Sequence, residues 1–141
     1  MTDLEKAKQM LTREHHTCVL CRGDAVHTTQ ARGVRPLVKW LTEGTDLRHF
    51  SAADKVVGKA TAYLYCLLGV KAVYAQVMSG AAAEVLKNAG IAVTWGTLVE
   101  NIINRTGDGI CPFEEAVWEI ETAEEALPAI RAKMEQMHIS L

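Results

Sequence analysis

No segment of this chain reaches the roughly 20 consecutive apolar residues that a membrane-spanning helix requires, so the sequence offers no membrane role. The N-terminus, Met1-Thr2-Asp3-Leu4-Glu5-Lys6, lacks the basic and then apolar regions of a secretory signal. Its four cysteines are therefore expected as free thiols in a reducing cytoplasm. An excess of positive charge is also missing: 15 Lys and Arg stand against 17 Asp and Glu, a net charge of -2, which gives no overall basis for a nucleic-acid partner. Prolines number only three, and neither a repeat, a low-complexity tract nor a linker divides the chain. One domain over residues 1–141 is the expectation, large enough to bury its own core without cross-links.

Nearly half of the residues are hydrophobic, and their spacing predicts the elements. Leu4, Ala7, Met10 and Leu11 define an amphipathic N-terminal helix over 3–14. Residues 17–22 and 25–28, joined at Gly23-Asp24, read as a β-hairpin. A short helix carries Leu37, Val38, Trp40 and Leu41 and ends near Gly44. A longer helix is predicted from about Ala52 to Leu68, its core face formed by Ala53, Val57, Ala60, Leu64 and Leu67, with Gly69 as its stop. A strand over 71–77, a helix from Ser79 to about Ala89 and a strand over 91–94 follow. Beyond them come an extended segment over 97–103, a turn over 104–109 and helices over 112–120 and 122–137. The β-β-α-β-α-β order at the centre predicts an α/β fold, a three-layer α/β/α sandwich around a mixed sheet.

Within the long predicted helix, Ser51 reads as an N-cap and Asp54 falls three residues later, as in a capping box. Lys55 and Lys59, four apart, would share one face. Gly58 between them costs about 1 kcal/mol relative to alanine in a helix, which points to something packed close to the backbone there. A helix start with two lysines suits a phosphate, a carboxylate or a nucleotide. The alternative is that Asp54 only caps its helix and the lysines only face water. The second helix start, Ser79-Gly80-Ala81-Ala82-Ala83, places backbone donors behind very small side chains. It suits an anion equally, or simply close packing on the sheet.

A hairpin followed by helix, strand, helix and strand resembles the cytidine deaminase layout. That resemblance implies zinc ligands at the two helix starts: a His or Cys with a Glu two residues on, and a Pro-Cys-x-x-Cys. The matching places read Ser51-Ala52-Ala53-Asp54-Lys55 and Met78-Ser79-Gly80-Ala81-Ala82, and no zinc ligand set is present; no metal or cofactor is implied. Two motifs are more specific: Ser51-x-x-Asp54-Lys55-x-x-Gly58-Lys59-Ala60 and Asn104-Arg105-x-x-x-Gly109-x-Cys111-Pro112-x-Glu114. By these the chain resembles a bacterial family described as domain of unknown function 1893, over about residues 17–121. The resemblance implies a zinc-free deaminase-like fold with a polar pocket where the two helix starts meet. It brings no activity.

Cys111 precedes Pro112 at a predicted helix N-cap, where the helix dipole favours a thiolate, while Glu114 and Glu115 oppose it. A thiol-dependent enzyme or sulfur carrier using Cys111 is thus a second reading. Arg105, in the glycine-containing turn before it, would reach a ligand or merely complete the turn. Cys18-Val19-Leu20-Cys21 looks like a metal or redox motif, but on a strand residues three apart face opposite sides, and His15 and His16 lack a second ligand pair. From Asp108 to Glu125 seven acids occur without a lysine or arginine, a solvated acidic face or a docking surface for a basic partner. The expectation is a small anionic or nucleotide-like ligand held by Ser51, Asp54, Lys55, Gly58, Lys59, Ser79, Gly80 and Arg105, in a protein able to form homo-oligomers. An interaction module is the third reading.

Overall fold

Two short runs start the sheet, the first a continuous apolar stretch buried on both faces and the second more polar. In a computed structural model describing residues 1–141, β1 (Cys18–Arg22) and β2 (Ala25–Thr29) form the expected hairpin, Cys18 facing Thr29 and Arg22 facing Ala25. Gly23 turns it with a φ of 59°, a left-handed conformation that glycine adopts without a Cβ penalty. Before the hairpin, α1 (Asp3–Arg13) begins at Thr2, whose side chain accepts from the Glu5 amide, and buries Ala7 and Leu11. After it, α2 (Arg35–Glu43) has Pro36 in its first turn and ends at Gly44, in the left-handed conformation.

The sequence-based expectation fails next. Residues predicted to open a long helix form a strand, β3 (Ser51–Val57), and the helix α3 begins only at Lys59 and runs to Leu68. Two properties of β3 explain the misreading. It contains two alanines, an aspartate and a lysine, poor strand formers that are held extended by β1 on one side and by β4 (Ala72–Ser79) on the other. Its side-chain alternation also slips: Ala52 and Val57 both enter the main core although five positions apart, while Lys55 and Val56 are exposed. The Asp54 carboxylate accepts the Val56 amide at 3.3 Å at that irregularity. The slip gives the segment a spacing that mimics a helix face.

The rest matches more closely. α4 (Gly80–Asn88) starts at Ser79 as predicted. β5 (Ala92–Val99) absorbs both the predicted strand and the first part of the extended segment after it. α5 (Pro112–Ala116) is shorter than expected, and α6 (Ala123–Gln136) begins at Thr122, which caps the Glu125 amide at 3.2 Å.

The sheet order is β2-β1-β3-β4-β5, with β1 antiparallel to both neighbours and β3, β4 and β5 parallel. α1 packs on one face over Val19, Cys21 and Ala53. The main core lies on the other face, beneath α2, α3, α4 and α6. This is the expected mixed-sheet, three-layer arrangement, with one layer a single helix. No helix is long and apolar enough to cross a membrane.

Candidate functional site

Parallel strands β3 and β4 run in register, Val57 beside Met78, so the chain leaves both strands at the same edge of the sheet. Gly58-Lys59 and Ser79-Gly80, the starts of α3 and α4, are therefore neighbours on strands about 4.8 Å apart. The starts of α3 and α4 lie side by side, and the first of them is at Gly58 and not at Ser51. Ser51, buried at the far end of β3, lies six residues and about 20 Å of strand away from that edge.

The α3 start already holds an anion. The Glu114 carboxylate accepts the Lys59 amide at 2.7 Å and the Ala60 amide at 2.9 Å, two of the donors that a helix start leaves without partners. Glu114 is only 7 % exposed, so the bonds are made out of water and each is worth more than a surface contact. Gly58 is the N-cap residue, with extended φ and ψ of -101° and -177°, and the carboxyl group of Glu114 occupies the place where a Cβ would project. The glycine does have something packed against it, as expected, but it caps the helix and is not inside it. Lys59 donates its ammonium to the Trp118 carbonyl at 3.1 Å and lies 5.8 Å from the Tyr63 ring centre. Neither Lys55 nor Lys59 belongs to an ion pair. They do not share a helix face, since Lys55 is an exposed residue of β3.

The α4 start is different. Ser79 caps it, its hydroxyl accepting the Ala82 amide at 3.1 Å. Beside Gly80 there is open space: a Cβ there would meet nothing within 4 Å outside its own stretch of chain. Two surface depressions, of about 340 and 260 Å³, lie elsewhere, one around Leu41, Arg48 and Leu68 and the other around Thr42, Arg131 and Met134.

Asp54 does not cap a helix. From β3 it reaches Tyr65 on α3, whose hydroxyl donates to Oδ2 at 2.6 Å, and Cys18 Sγ lies 3.1 Å from the same hydroxyl oxygen. Burial pushes the Asp54 carboxyl up to about 6, against the hydrogen bonds from Tyr65 and Val56 that favour its charged form. Burial, with the Asp54 charge, also holds the Cys18 thiol and the Tyr65 hydroxyl well above their usual ranges. The three groups form one hydrogen-bonded cluster, in which the raised Cys18 thiol stays protonated and is not an activated nucleophile. Cys18 and Cys21 face opposite sides of the sheet, one in each core, as their spacing required.

Cys111 is a half-buried free thiol before the five-residue α5, packed against the main core. Arg105 is exposed in the 104–109 turn, where Asn104 Oδ1 accepts the Gly107 amide at 2.9 Å and the Asp108 amide at 3.2 Å. The structure therefore brings together Gly58, Lys59, Ser79 and Gly80, and it separates Ser51 from them. Sequence reasoning missed Glu114, 55 positions from Lys59, and the partners of Asp54. The only advance signal for Glu114 was its place in the motif with Cys111 and Pro112.

With β3 in place, the helix after the hairpin is α2 and the helix after the next strand is α3, so the two helix starts that follow the hairpin in chain order are these and not those read at Ser51 and Ser79. They read Arg32-Gly33-Val34-Arg35-Pro36 and Val57-Gly58-Lys59-Ala60-Thr61, again without histidine or cysteine. No group of three or more His, Cys, Asp or Glu side chains is placed to hold a metal ion.

The fold is similar to the crystal structure of a DUF1893 family protein, TM1506 from Thermotoga maritima, with a TM-score of 0.86 at 22 % identity, covering 94 % of this chain and 91 % of that one. A diaminohydroxyphosphoribosylaminopyrimidine deaminase/5-amino-6-(5-phosphoribosylamino)uracil reductase from the same organism matches at a TM-score of 0.41 and 17 % identity, over 65 % of this chain and 34 % of that one. No curated protein matches the chain. The family model described as TM1506, domain of unknown function (DUF1893), matches residues 6–134, and the chain belongs to that family.

Proposed function

We propose that the protein binds a small anionic, nucleotide-like ligand at the sheet edge where α3 and α4 begin. One observation carries this reading: two adjacent helix starts, one holding a carboxylate through its amides and the other with open space beside Gly80. The first supports a preference for negative charge at this edge, and the second supports room beside it for a ligand's own charge. Ligands of parallel α/β sheets bind outside the carboxyl ends of the strands, which is where this edge lies. Lys59, outside any ion pair, adds a cation to the α3 side. All four cysteines are free thiols, which suits a reducing cytoplasm.

Thermal unfolding in the presence of inorganic phosphate, nucleotides and phosphorylated sugars tests the reading. At least one of them should raise Tm, Lys59→Ala should weaken the response, and Gly80→Glu, which brings a carboxylate to the open helix start, should abolish it. Failure of every compound to move Tm, or an unchanged response in Gly80→Glu, would overturn the proposal.

A further inference from the structure

The two edges of the sheet differ. β2 is five residues long, and its His27 packs edge-on against Trp40 and Phe50, with ring centres 6.1 and 5.6 Å away. β5 is eight residues long, Ala92–Val99, with no charged residue and no proline. β4 pairs with it on one side and α4 packs against it, while Thr94, Gly96, Thr97 and Leu98 stay exposed. A long flat edge presents a row of unpaired backbone N–H and C=O groups, which proteins that stay monomeric blunt with lysine, proline or a short strand. β5 carries none of these devices.

We infer that β5 pairs antiparallel with β5 of a second copy, joining two five-stranded sheets into one. Charge selects the direction. Lys71, whose carbonyl accepts the Ala92 amide beside the start of β5, is already paired with Asp3 at 3.5 Å, and Lys87 places its ammonium 5.4 Å from the ring centre of Trp95 in the middle of the strand; Glu100, an acid without an ion-pair partner, follows the strand's end. Antiparallel self-pairing puts the two Glu100 side chains at opposite ends of the paired strands, whereas parallel pairing sets them side by side. The uncharged strand between them introduces no repulsion against its own copy.

Symmetry then selects a register. A two-fold axis normal to the sheet keeps each face continuous and makes one residue meet itself. Gly96 does so without a side chain. Trp95 then lies opposite Thr97 and Val93 opposite Val99, pairings of aromatic and β-branched residues that stabilise sheets, with Thr94 opposite Leu98.

Light scattering over a dilution series, together with hydrogen exchange, tests this pairing. The expected mass is twice that of the 15.5 kDa chain, falling to one chain on dilution, with the β5 amides that point away from β4 protected only in the dimer. Thr97→Lys, at an exposed position, should return the protein to a monomer with unchanged far-ultraviolet circular dichroism. Ala25→Lys, on the opposite edge, should leave the dimer intact. A monomer at every concentration, a dimer that survives Thr97→Lys, or β5 amides that exchange equally in both states would overturn the inference. So would a heteromeric strand partner that pairs with β5 while the pure chain stays monomeric.

Discussion

The carboxylate of Glu114 and the missing side chain of Gly58 occupy one space: the acid reaches the α3 amides because residue 58 has no Cβ to exclude it. A mid-sequence glycine and a distant glutamate are thus a single structural unit. It ties α5 to the start of α3 and satisfies the helix with an internal anion.

Glu114→Ala is expected to destabilise the fold by about 3 kcal/mol, because it strands two buried amides that had a charged acceptor. The corresponding loss in Tm is roughly 10 °C for a domain of this size. The vacated space is the size of a carboxylate, so formate or acetate should restore part of the loss in Glu114→Ala and none in the parent protein. Urea denaturation with and without formate measures both effects.

Gly58→Ala should cost nearly as much as Glu114→Ala in the parent protein, since the new Cβ displaces the carboxyl group. In the Glu114→Ala background the same change should be close to neutral, because the φ of -101° at residue 58 is open to alanine. A double-mutant cycle reads the coupling. Additive losses would show that the two residues act separately.

Asp54 predicts a pH dependence. Its carboxyl titrates near 6 in the folded protein against an ordinary value of 3.8, so the folded state binds the proton more tightly than the unfolded state. The stabilisation is fully present below about pH 4, declines as pH rises through about 6 and is absent above, with a total of about 3 kcal/mol. Asp54→Asn keeps an acceptor for Tyr65 and removes the titration, so its stability should vary less between pH 4 and 7 than that of the parent. Denaturant unfolding across that range tests it.

Tyr65→Phe removes the hydroxyl that touches both Asp54 and Cys18. Because that hydroxyl favours the charged carboxylate, its loss should raise the Asp54 titration point further and lower stability at neutral pH by about 1–2 kcal/mol. Carbon-detected nuclear magnetic resonance of the Asp54 carboxyl follows the first effect directly.

Most elements were legible because they are local. The α4 start was readable from Ser79 and small residues, the hairpin from Gly23-Asp24 between two short runs, and α6 from Thr122 with its cap. β3 was not readable, because alanine, aspartate and lysine do not favour a strand and the slip at Asp54–Val57 copies a helical spacing. The error also displaced the first helix start from Gly58 to Ser51, and with it the expected pairing of Lys55 with Lys59.

The sequence by itself determined the mixed α/β class, the helix starts capped by their own side chains and the opposite facing of Cys18 and Cys21, since each depends on contacts within a few residues. Only the tertiary structure decided that Ser51–Val57 is a strand, that Gly58 exists to admit Glu114, and that Asp54 shares a proton network with Tyr65 and Cys18. Those outcomes arise from neighbours far apart along the chain. Sheet pairing overrides local propensity there, and desolvation raises the pH at which Asp54 titrates.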